Sequence, residues 1–214
     1  MRIFVAILAV LLVLPSAQAG TITVNNSGAI LIPGSGTSGN ASPYPSIINV
    51  SGMTGVLTGL TVTFNSLSHA WPDDIDILLV APGGSLASLL MSDAGGGNDI
   101  VGVSITLDDA AASPLPDSAS IVSGTYRPTN YGIGDSFSGV PSPPWGTTLA
   151  YFFGIDPNGD WSLYVVDDLS GDVGDMGAGW SMTLTTDDIP EPSTLALLSI
   201  GLAGLLILRR RRRV

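Results

Sequence analysis

The aspartates are the residues of this chain with the greatest capacity for chemistry. Three groups of them fall where loops or strand ends are expected: Asp73, Asp74 and Asp76; Asp93 and Asp99; and Asp167, Asp168, Asp172 and Asp175. Short carboxylates on loops, together with backbone carbonyls, are the oxygen ligands that Ca²⁺ prefers. The sequence predicts calcium as the one candidate cofactor, held by Asp73, Asp74, Asp93, Asp168, Asp172 and Asp175. The alternative is that these carboxylates cap turns through local hydrogen bonds to the backbone.

His69 is the only histidine, so any Ser-His-Asp arrangement would have to use it. Such an arrangement needs a base that is held by an acid and lies beside a presented nucleophile. The chain has no Gly-x-Ser-x-Gly turn to present one. The sequence therefore predicts no catalytic residues and a protein that is not an enzyme.

Asp76 alternates with apolar residues and would share one strand face with Leu78 and Val80. A carboxylate beside a hydrophobic core needs a cation or hydrogen-bond donors to offset its desolvation. Arg127 is the only basic residue between positions 20 and 188, and is thus the one candidate for an ion pair.

Charge excludes one class of partner. Residues 20–188 contain 17 aspartates, one arginine, no lysine and no glutamate, so their formal charge is 1 minus 17, or −16. Binding to nucleic acid requires a basic surface and is excluded. The chain has no cysteine, so no disulfide can stabilise it.

The elements that must position these residues are strands. Apolar residues alternate with polar ones at Leu60, Val62 and Phe64, at Ile75, Ile77 and Leu79, at Trp161, Leu163 and Val165, and at Trp180, Met182 and Leu184. This period of two, with Gly- and Pro-rich turns between the runs, predicts an all-β fold, specifically an antiparallel jelly-roll β-sandwich. A further strand is predicted at Leu149 to Phe153, and Tyr126 to Trp145 is predicted to be a long surface excursion. Residues 20–45 are interpreted as lead-in strands and a flexible loop.

Both ends of the chain have the features of targeting segments. Residues 1–19 combine a basic start, an apolar core and a small-x-small ending, which predicts a signal peptide cleaved between Ala19 and Gly20. Residues 187–214 contain a Pro-Glu-Pro-Ser-Thr turn at 190–194, an apolar run at 195–208 and five arginines at 209–213. The apolar run predicts a marginal transmembrane helix that the arginines orient with the C-terminus in the cytoplasm. An ordinary single-pass anchor is the alternative interpretation.

The order of these three parts resembles the PEP-CTERM sorting signal of Gram-negative envelope proteins. The resemblance implies processing by an exosortase-type membrane enzyme near Pro190, Glu191 and Pro192. It also implies a single-pass intermediate anchored in the inner membrane, association with exopolysaccharide, and delivery to the cell envelope or outer surface.

Two motifs in the middle of the chain resemble the P domain, or P/Homo B domain, of subtilisin-like proprotein convertases. They are HAWPDDIDILLVAPGG from His69 to Gly84 and DPNGDWSLYVVDDLSGDVGDMGAGWSMTLT from Asp156 to Thr185. The resemblance implies a jelly-roll domain over residues 46–186 and a structural role for His69. In that family the P domain accompanies a separate catalytic domain, so the resemblance implies no protease activity for these residues.

Together these features predict an exported, non-enzymatic β-sandwich with a structural or adhesive role in the envelope or exopolysaccharide matrix. One alternative is a carbohydrate-binding module that uses Trp71, Tyr131 and Trp145. Another is an accessory P domain that serves a separately encoded serine endopeptidase.

Overall fold

A computed structural model describes residues 20–187 and the single residue Gly201. Within that part of the chain, no helix is long and apolar enough to cross a membrane. The signal peptide, the Pro-Glu-Pro turn and the transmembrane helix at 195–208 lie outside the described residues, so the structure does not test them.

Residues 20–187 form strands and two short 3-10 helices, which confirms the all-β prediction. The strands are β1 (Gly20–Asn26), β2 (Ile30–Ile32), β3 (Gly39–Asn40), β4 (Ser46–Val50), β5 (Val56–His69), β6 (Ile75–Val80), β7 (Ala87–Ser92), β8 (Ile100–Leu107), β9 (Gly124–Tyr126), β10 (Thr129–Asn130), β11 (Gly159–Asp167), β12 (Gly174–Met176) and β13 (Trp180–Asp187). The 3-10 helices are Pro72–Asp74 and Leu149–Phe152.

The strands form two sheets that pack as a sandwich. The first sheet has seven strands in the order β1-β13-β5-β12-β2, with β8 on the other side of β5 and β9 beside β8. The second has six strands in the order β10-β7-β6-β11-β3, with β4 also paired to β11. All pairs are antiparallel except β8 with β9 and β10 with β7. A two-sheet sandwich is therefore established, and jelly-roll connectivity stays a prediction.

The core between the sheets contains the residues that the alternation singled out. Phe64, Trp161 and Trp180 are fully buried, and their neighbours on the same strand faces are buried as well. The Trp161 indole donates a hydrogen bond to the Pro157 carbonyl at 2.9 Å, and the Trp180 indole donates one to Ser46 Oγ at 2.9 Å. The period of two thus identified the buried faces of these strands.

The predicted excursion at 126–145 covers the outer face of the second sheet. Phe137, Val140 and Trp145 pack on a small apolar cluster formed by Leu78, Val80, Ala87 and Leu89. As a result every residue of β6 is buried, on both faces of the strand. Asp76 does share its face with Leu78 and Val80, as predicted, and this second cluster explains why that face is buried.

One predicted strand is wrong. Residues 149–152 form a 3-10 helix, because the Asp109 carboxylate accepts hydrogen bonds from the backbone N–H groups of Leu149 and Ala150 at 2.9 and 2.7 Å. That carboxylate caps the free donors of the first turn, as capping side chains do. Its distance of about forty positions along the chain hides it from any local pattern.

The lead-in residues 20–45 contribute strands to both sheets. β1 pairs with β13 along its whole length, from Gly20 opposite Thr186 to Asn26 opposite Trp180. β2 pairs with β12 in the first sheet, and β3 pairs with β11 in the second. The segment is thus built into the sandwich.

Candidate cation centre and the buried histidine pair

The candidate cation centre lies where β6, β7 and β10 meet at one end of the second sheet. Asp76 is the second residue of β6, and the antiparallel register that places Ile77 opposite Met91 brings Asp76 to Ser92 at the end of β7. The parallel pair of β10 with β7 places Asn130 beside Ser92. The excursion that follows β10 then brings Asp135 to the same point.

Three carboxylates converge there. Asp76, Asp93 and Asp135 each offer an oxygen, and the three oxygens lie within 4.8 Å of one another. Ser92 Oγ is 2.7 Å from Asp93 Oδ2 and 2.7 Å from Asp135 Oδ1, while Asn130 Nδ2 donates to Asp135 Oδ2 at 3.2 Å. Gly132 packs directly against the Asp93 carboxylate, which a Cβ at this position would overlap.

The three carboxylates of this cluster have too few hydrogen-bond donors to offset their negative charge. The Ser92 hydroxyl also faces Asp76, but it carries a single proton and can satisfy only one of the three carboxylates. Asp76 is only 2% exposed. Burial raises the pKa of Asp76 to about 8, and repulsion from Asp135, Asp168 and Asp93 adds to the rise. At neutral pH and without a cation, Asp76 therefore favours its protonated form.

The donor set fits a hard divalent cation. Ca²⁺ binds six to eight oxygens at about 2.3–2.6 Å, so two of its ligands are at most roughly 5 Å apart. The three carboxylate oxygens meet that limit, and no nitrogen or sulfur ligand is among them. Carboxylates of Asp76, Asp93 and Asp135 with the Ser92 hydroxyl would supply four ligands, and water the rest.

The structure does not bring the six predicted calcium ligands together. Asp93 belongs to the converging cluster, and Asp73 and Asp168 lie close enough to interact electrostatically with it. Asp74 instead neighbours Asp167, Asp168 and Asp172. Burial and these like charges raise the pKa of Asp74 to about 6. Asp175 lies on β12, opposite Ser68, and is not among the converging carboxylates. Whether these residues bind calcium stays a prediction.

The sequence analysis missed Asp135 and treated Asp76 only as a residue in need of a partner. Asp135 lies in the excursion, where no alternation assigns a face, and it reaches Asp76 only through the pairing of β10 with β7. The one feature of the sequence that pointed to this site was the position of Asp76 on a predicted apolar strand face.

The hypothesis of an ion pair between Asp76 and Arg127 is wrong. Among the described residues, the only ion pair joins His69 to Asp167. Arg127 is exposed and contributes its backbone N–H and carbonyl to hydrogen bonds with Ser113 and Thr129. The neighbours of Asp76 are acidic residues and a hydroxyl, because the pairing of β6 with β7 brings Ser92 and Asp93 to it.

His69 forms a second buried polar site between the sheets. It ends β5, and Asp167 ends β11, so the pair links the first sheet to the second. His69 Nε2 lies 3.1 Å from Asp167 Oδ2, and both side chains are fully buried. Burial raises the pKa of Asp167, while the histidine acts in the opposite direction.

Both ring nitrogens of His69 are occupied. Nδ1 lies 2.8 Å from the Trp71 carbonyl oxygen and 3.2 Å from the Trp71 backbone nitrogen. A general base needs a free nitrogen facing a nucleophile. His69 thus connects the first sheet, through Asp167, to the second and also contacts the backbone of Trp71. This geometry is that of a residue with a structural role.

Comparison with family models identifies the C-terminal segment. Residues 188–213 match the PEP-CTERM protein-sorting motif, which confirms this part of the sequence prediction. The motif marks an exported protein that is anchored in a membrane before exosortase, a membrane enzyme, processes it. A comparison with curated proteins finds no significant match.

Solved structures with some similarity come from a bacterial protease. One is the complex of the Aeromonas sobria serine protease with its chaperone, at 18% identity and a TM-score of 0.40, covering 82% of this chain and 28% of the matched chain. The other is the serine protease of Aeromonas sobria, at 15% identity and a TM-score of 0.39, covering 81% and 28%. The chain thus spans about a quarter of the length of these proteins. At these identities and TM-scores, the matches carry no conclusion about the fold or the activity of this chain.

Proposed function

We propose that this protein is a non-enzymatic component of the cell envelope, exported as a β-sandwich and released or attached there through its sorting signal, with a structural or adhesive role. The observation that carries the proposal is the sorting motif at 188–213. The enclosed geometry of His69 supports it, because the one histidine has no nitrogen left for catalysis. Delivery to a Gram-negative envelope and contact with exopolysaccharide belong to this proposal.

The intact mass of the exported protein tests processing at both ends. We expect a mature chain that begins at Gly20 and lacks Arg209 to Arg213. Replacing Pro190, Glu191 and Pro192 together by alanine should leave a membrane-bound chain that retains the arginines. Asp187→Ala is the matched control, since Asp187 is exposed and lies just before the motif. A wild-type mass that includes the arginines would contradict exosortase processing and favour a plain anchor.

Fractionation of the producing cells tests the role in the envelope. We expect the processed protein at the outer surface or in the matrix, and a deletion strain that adheres or aggregates less. Normal surface adhesion in the deletion strain would contradict the structural or adhesive role while leaving processing intact.

We further propose that Ca²⁺ stabilises the domain by binding at Asp76, Asp93 and Asp135. The surroundings of Asp76 support the proposal. Its carboxylate is 98% buried and shares the Ser92 hydroxyl with the carboxylates of Asp93 and Asp135. A divalent cation would offset all three negative charges at once.

The melting temperature of the exported protein, with excess Ca²⁺ or excess chelator, tests this site. We expect Ca²⁺ to raise the wild-type melting temperature and Asp135→Asn to abolish the rise. Asp175→Asn is the control and should keep the rise, because Asp175 is not among the converging carboxylates. Identical wild-type melting curves in Ca²⁺ and chelator would contradict calcium binding, and loss of the rise in both variants would contradict this assignment of ligands.

Glycan binding is a second candidate function, favoured by an open cavity of about 400 Å³ beside the cluster. Its lining includes Ile133, Asp135 and Trp145, which combine an apolar wall with a carboxylate. The Trp145 ring is held by its indole N–H, which donates to the Pro141 carbonyl at 2.8 Å, and by edge contact with Phe137. Of the other predicted aromatics, Trp71 packs against Gly97, and Tyr131 donates to the Leu115 carbonyl.

Binding of exopolysaccharide from the producing cells, measured by affinity electrophoresis, tests this candidate. Ile133 is fully exposed at the cavity, so Ile133→Arg should block binding without disturbing the fold. Val101→Arg is the control at another exposed apolar position, 83% exposed on β8. Retained binding in the Ile133 variant would exclude this cavity as the glycan site.

A further inference from the structure

The edge strands of the two sheets differ in length. Among the described residues, the edge strand β4 has five residues, and the edge strands β2, β3, β9 and β10 have only two or three. Such short edges offer few free backbone groups to another chain. β1 has seven residues and pairs with β13, and no other strand of the described residues pairs with its second side.

β1 lacks the features that protect an edge strand. Its sequence, Gly-Thr-Ile-Thr-Val-Asn-Asn, contains no charged side chain and no proline, and its register with β13 has no bulge. Charges, prolines and bulges are the usual means of preventing edge-to-edge pairing. Their absence stands out in a chain with 17 aspartates between residues 20 and 188. The neighbouring part of β13, from Trp180 to Thr186, is uncharged as well.

The core face of β1 is incompletely covered. Ile22 lies beside Leu184 in the same row across the sheet, and Val24 lies beside Met182. Leu184 and Met182 are buried, but Ile22 and Val24 are only half-buried. The hydrophobic layer of the first sheet therefore ends at an edge where further apolar surface could be buried.

The edge strand β4 of the second sheet lies next to β1 and is equally uncharged. Asn26 Nδ2 donates to the Ile47 carbonyl of β4 at 3.0 Å, and Ile47 is 45% exposed. A partner that pairs with β1 would therefore also meet an exposed isoleucine, with no carboxylate in either strand.

We propose that β1 pairs antiparallel with β1 of a second copy of this chain, about a two-fold axis at Thr23. The sequence is self-complementary in this register: Ile22 faces Val24 of the second copy, and Thr21 faces Asn25. Such pairing joins the first sheet of one copy to the first sheet of the other, so that they form one continuous sheet. It also buries more of Ile22 and Val24 in both copies. The uncharged edge is where two copies, each with a charge of −16 over residues 20–188, repel each other least.

Cysteine cross-linking in the full exported chain tests the register, because the natural sequence has no cysteine. Residues directly opposite in an antiparallel pair have Cα atoms about 4.5–5.5 Å apart, which suits a disulfide. We expect Thr23→Cys to give a reducible dimer. Thr21→Cys and Asn25→Cys should each give no covalent dimer alone and should cross-link when mixed. Thr183→Cys is the control, since Thr183 is half-buried opposite Thr23 and lies one strand inside the edge.

Light scattering gives a second, independent measurement. The wild-type protein should have twice the mass of one chain, Thr23→Asp should halve that mass by placing two carboxylates at the axis, and Thr183→Asp should leave it unchanged. The proposal is overturned by a monomeric wild type, by cross-linking of the Thr23 variant to a polypeptide of another mass, or by equal cross-linking of Thr21→Cys alone.

Discussion

At the scale of single residues, the molecule depends on two buried polar sites. His69 and Asp167 satisfy each other between the sheets, while Asp76, Asp93 and Asp135 share one hydroxyl. Buried polar groups that have lost their partners are far more costly than exposed ones. The consequences of mutation should therefore differ sharply between these residues and the exposed charges.

Asp167→Ala should destabilise the fold by about 3 kcal/mol, because it leaves the Nε2 side of a fully buried histidine without its partner. Denaturant unfolding of the purified protein measures the change. Arg127→Ala is the control and should alter stability by less than about 0.5 kcal/mol, since Arg127 is exposed and has no ion pair with a described residue. Equal effects of the two substitutions would refute the structural role of the histidine pair.

At the scale of elements, β12 approaches β5 closely beside the histidine. Gly174 lies opposite His69, and a Cβ on Gly174 would overlap the Ser68 carbonyl oxygen and lie 2.5 Å from His69 Cδ2. Gly177, just after β12, would place a Cβ no closer than 3.5 Å to its surroundings.

Gly174→Ala should therefore lower the melting temperature markedly, because the strand must move away from β5 to admit the methyl group. Gly177→Ala should leave the melting temperature nearly unchanged, since its Cβ would make ordinary van der Waals contacts. Thermal unfolding followed by circular dichroism compares the two variants. A Gly174 variant as stable as the wild type would show that β12 is not tightly packed on β5.

The excursion that covers the second sheet makes another element-scale prediction. Phe137 packs on the outer apolar cluster and contacts Trp145 edge to face, with ring centroids 5.3 Å apart. Phe137→Ala should cost about 2 kcal/mol, roughly half the loss of a fully buried phenylalanine, because Phe137 is half-buried. Denaturant unfolding is the measurement, and Val122→Ala is the control, since Val122 is 62% exposed. A cost no larger than that of the control would mean that the excursion does not stabilise the sheet.

At the scale of the whole molecule, the main electrostatic effect on stability is repulsion among the aspartates. A charge of −16 on residues 20–188 favours expansion of the chain, and the repulsion weakens as salt shortens its range from about 30 Å at 0.01 M to about 8 Å at 0.15 M. NaCl should therefore raise the melting temperature over this range, without any specific site.

A comparison of NaCl with CaCl₂ at equal ionic strength separates screening from binding. CaCl₂ should raise the melting temperature of the wild type more than NaCl does. This extra increase should disappear in Asp135→Asn, while the increase caused by NaCl should persist. A melting temperature that is independent of NaCl concentration would contradict the importance of self-repulsion.

The sequence by itself determined the features that depend on near neighbours in the chain. The period of two identified the buried faces around Phe64, Trp161 and Trp180, because successive side chains of a strand point to opposite faces. The sorting motif at 188–213 was recognisable for the same reason, since its three parts follow one another directly. Even the unusual position of Asp76, a carboxylate on an apolar strand face, could be predicted from alternation alone.

Only the tertiary structure decided which distant residues meet. Asp135 joins Asp76 because β10 pairs with β7, Asp109 turns residues 149–152 into a 3-10 helix, and Arg127 stays away from every described carboxylate. The partner of a buried charge is set by strand order and by the path of a long excursion. These depend on the free energy of packing the whole chain, and no local pattern of residues encodes them.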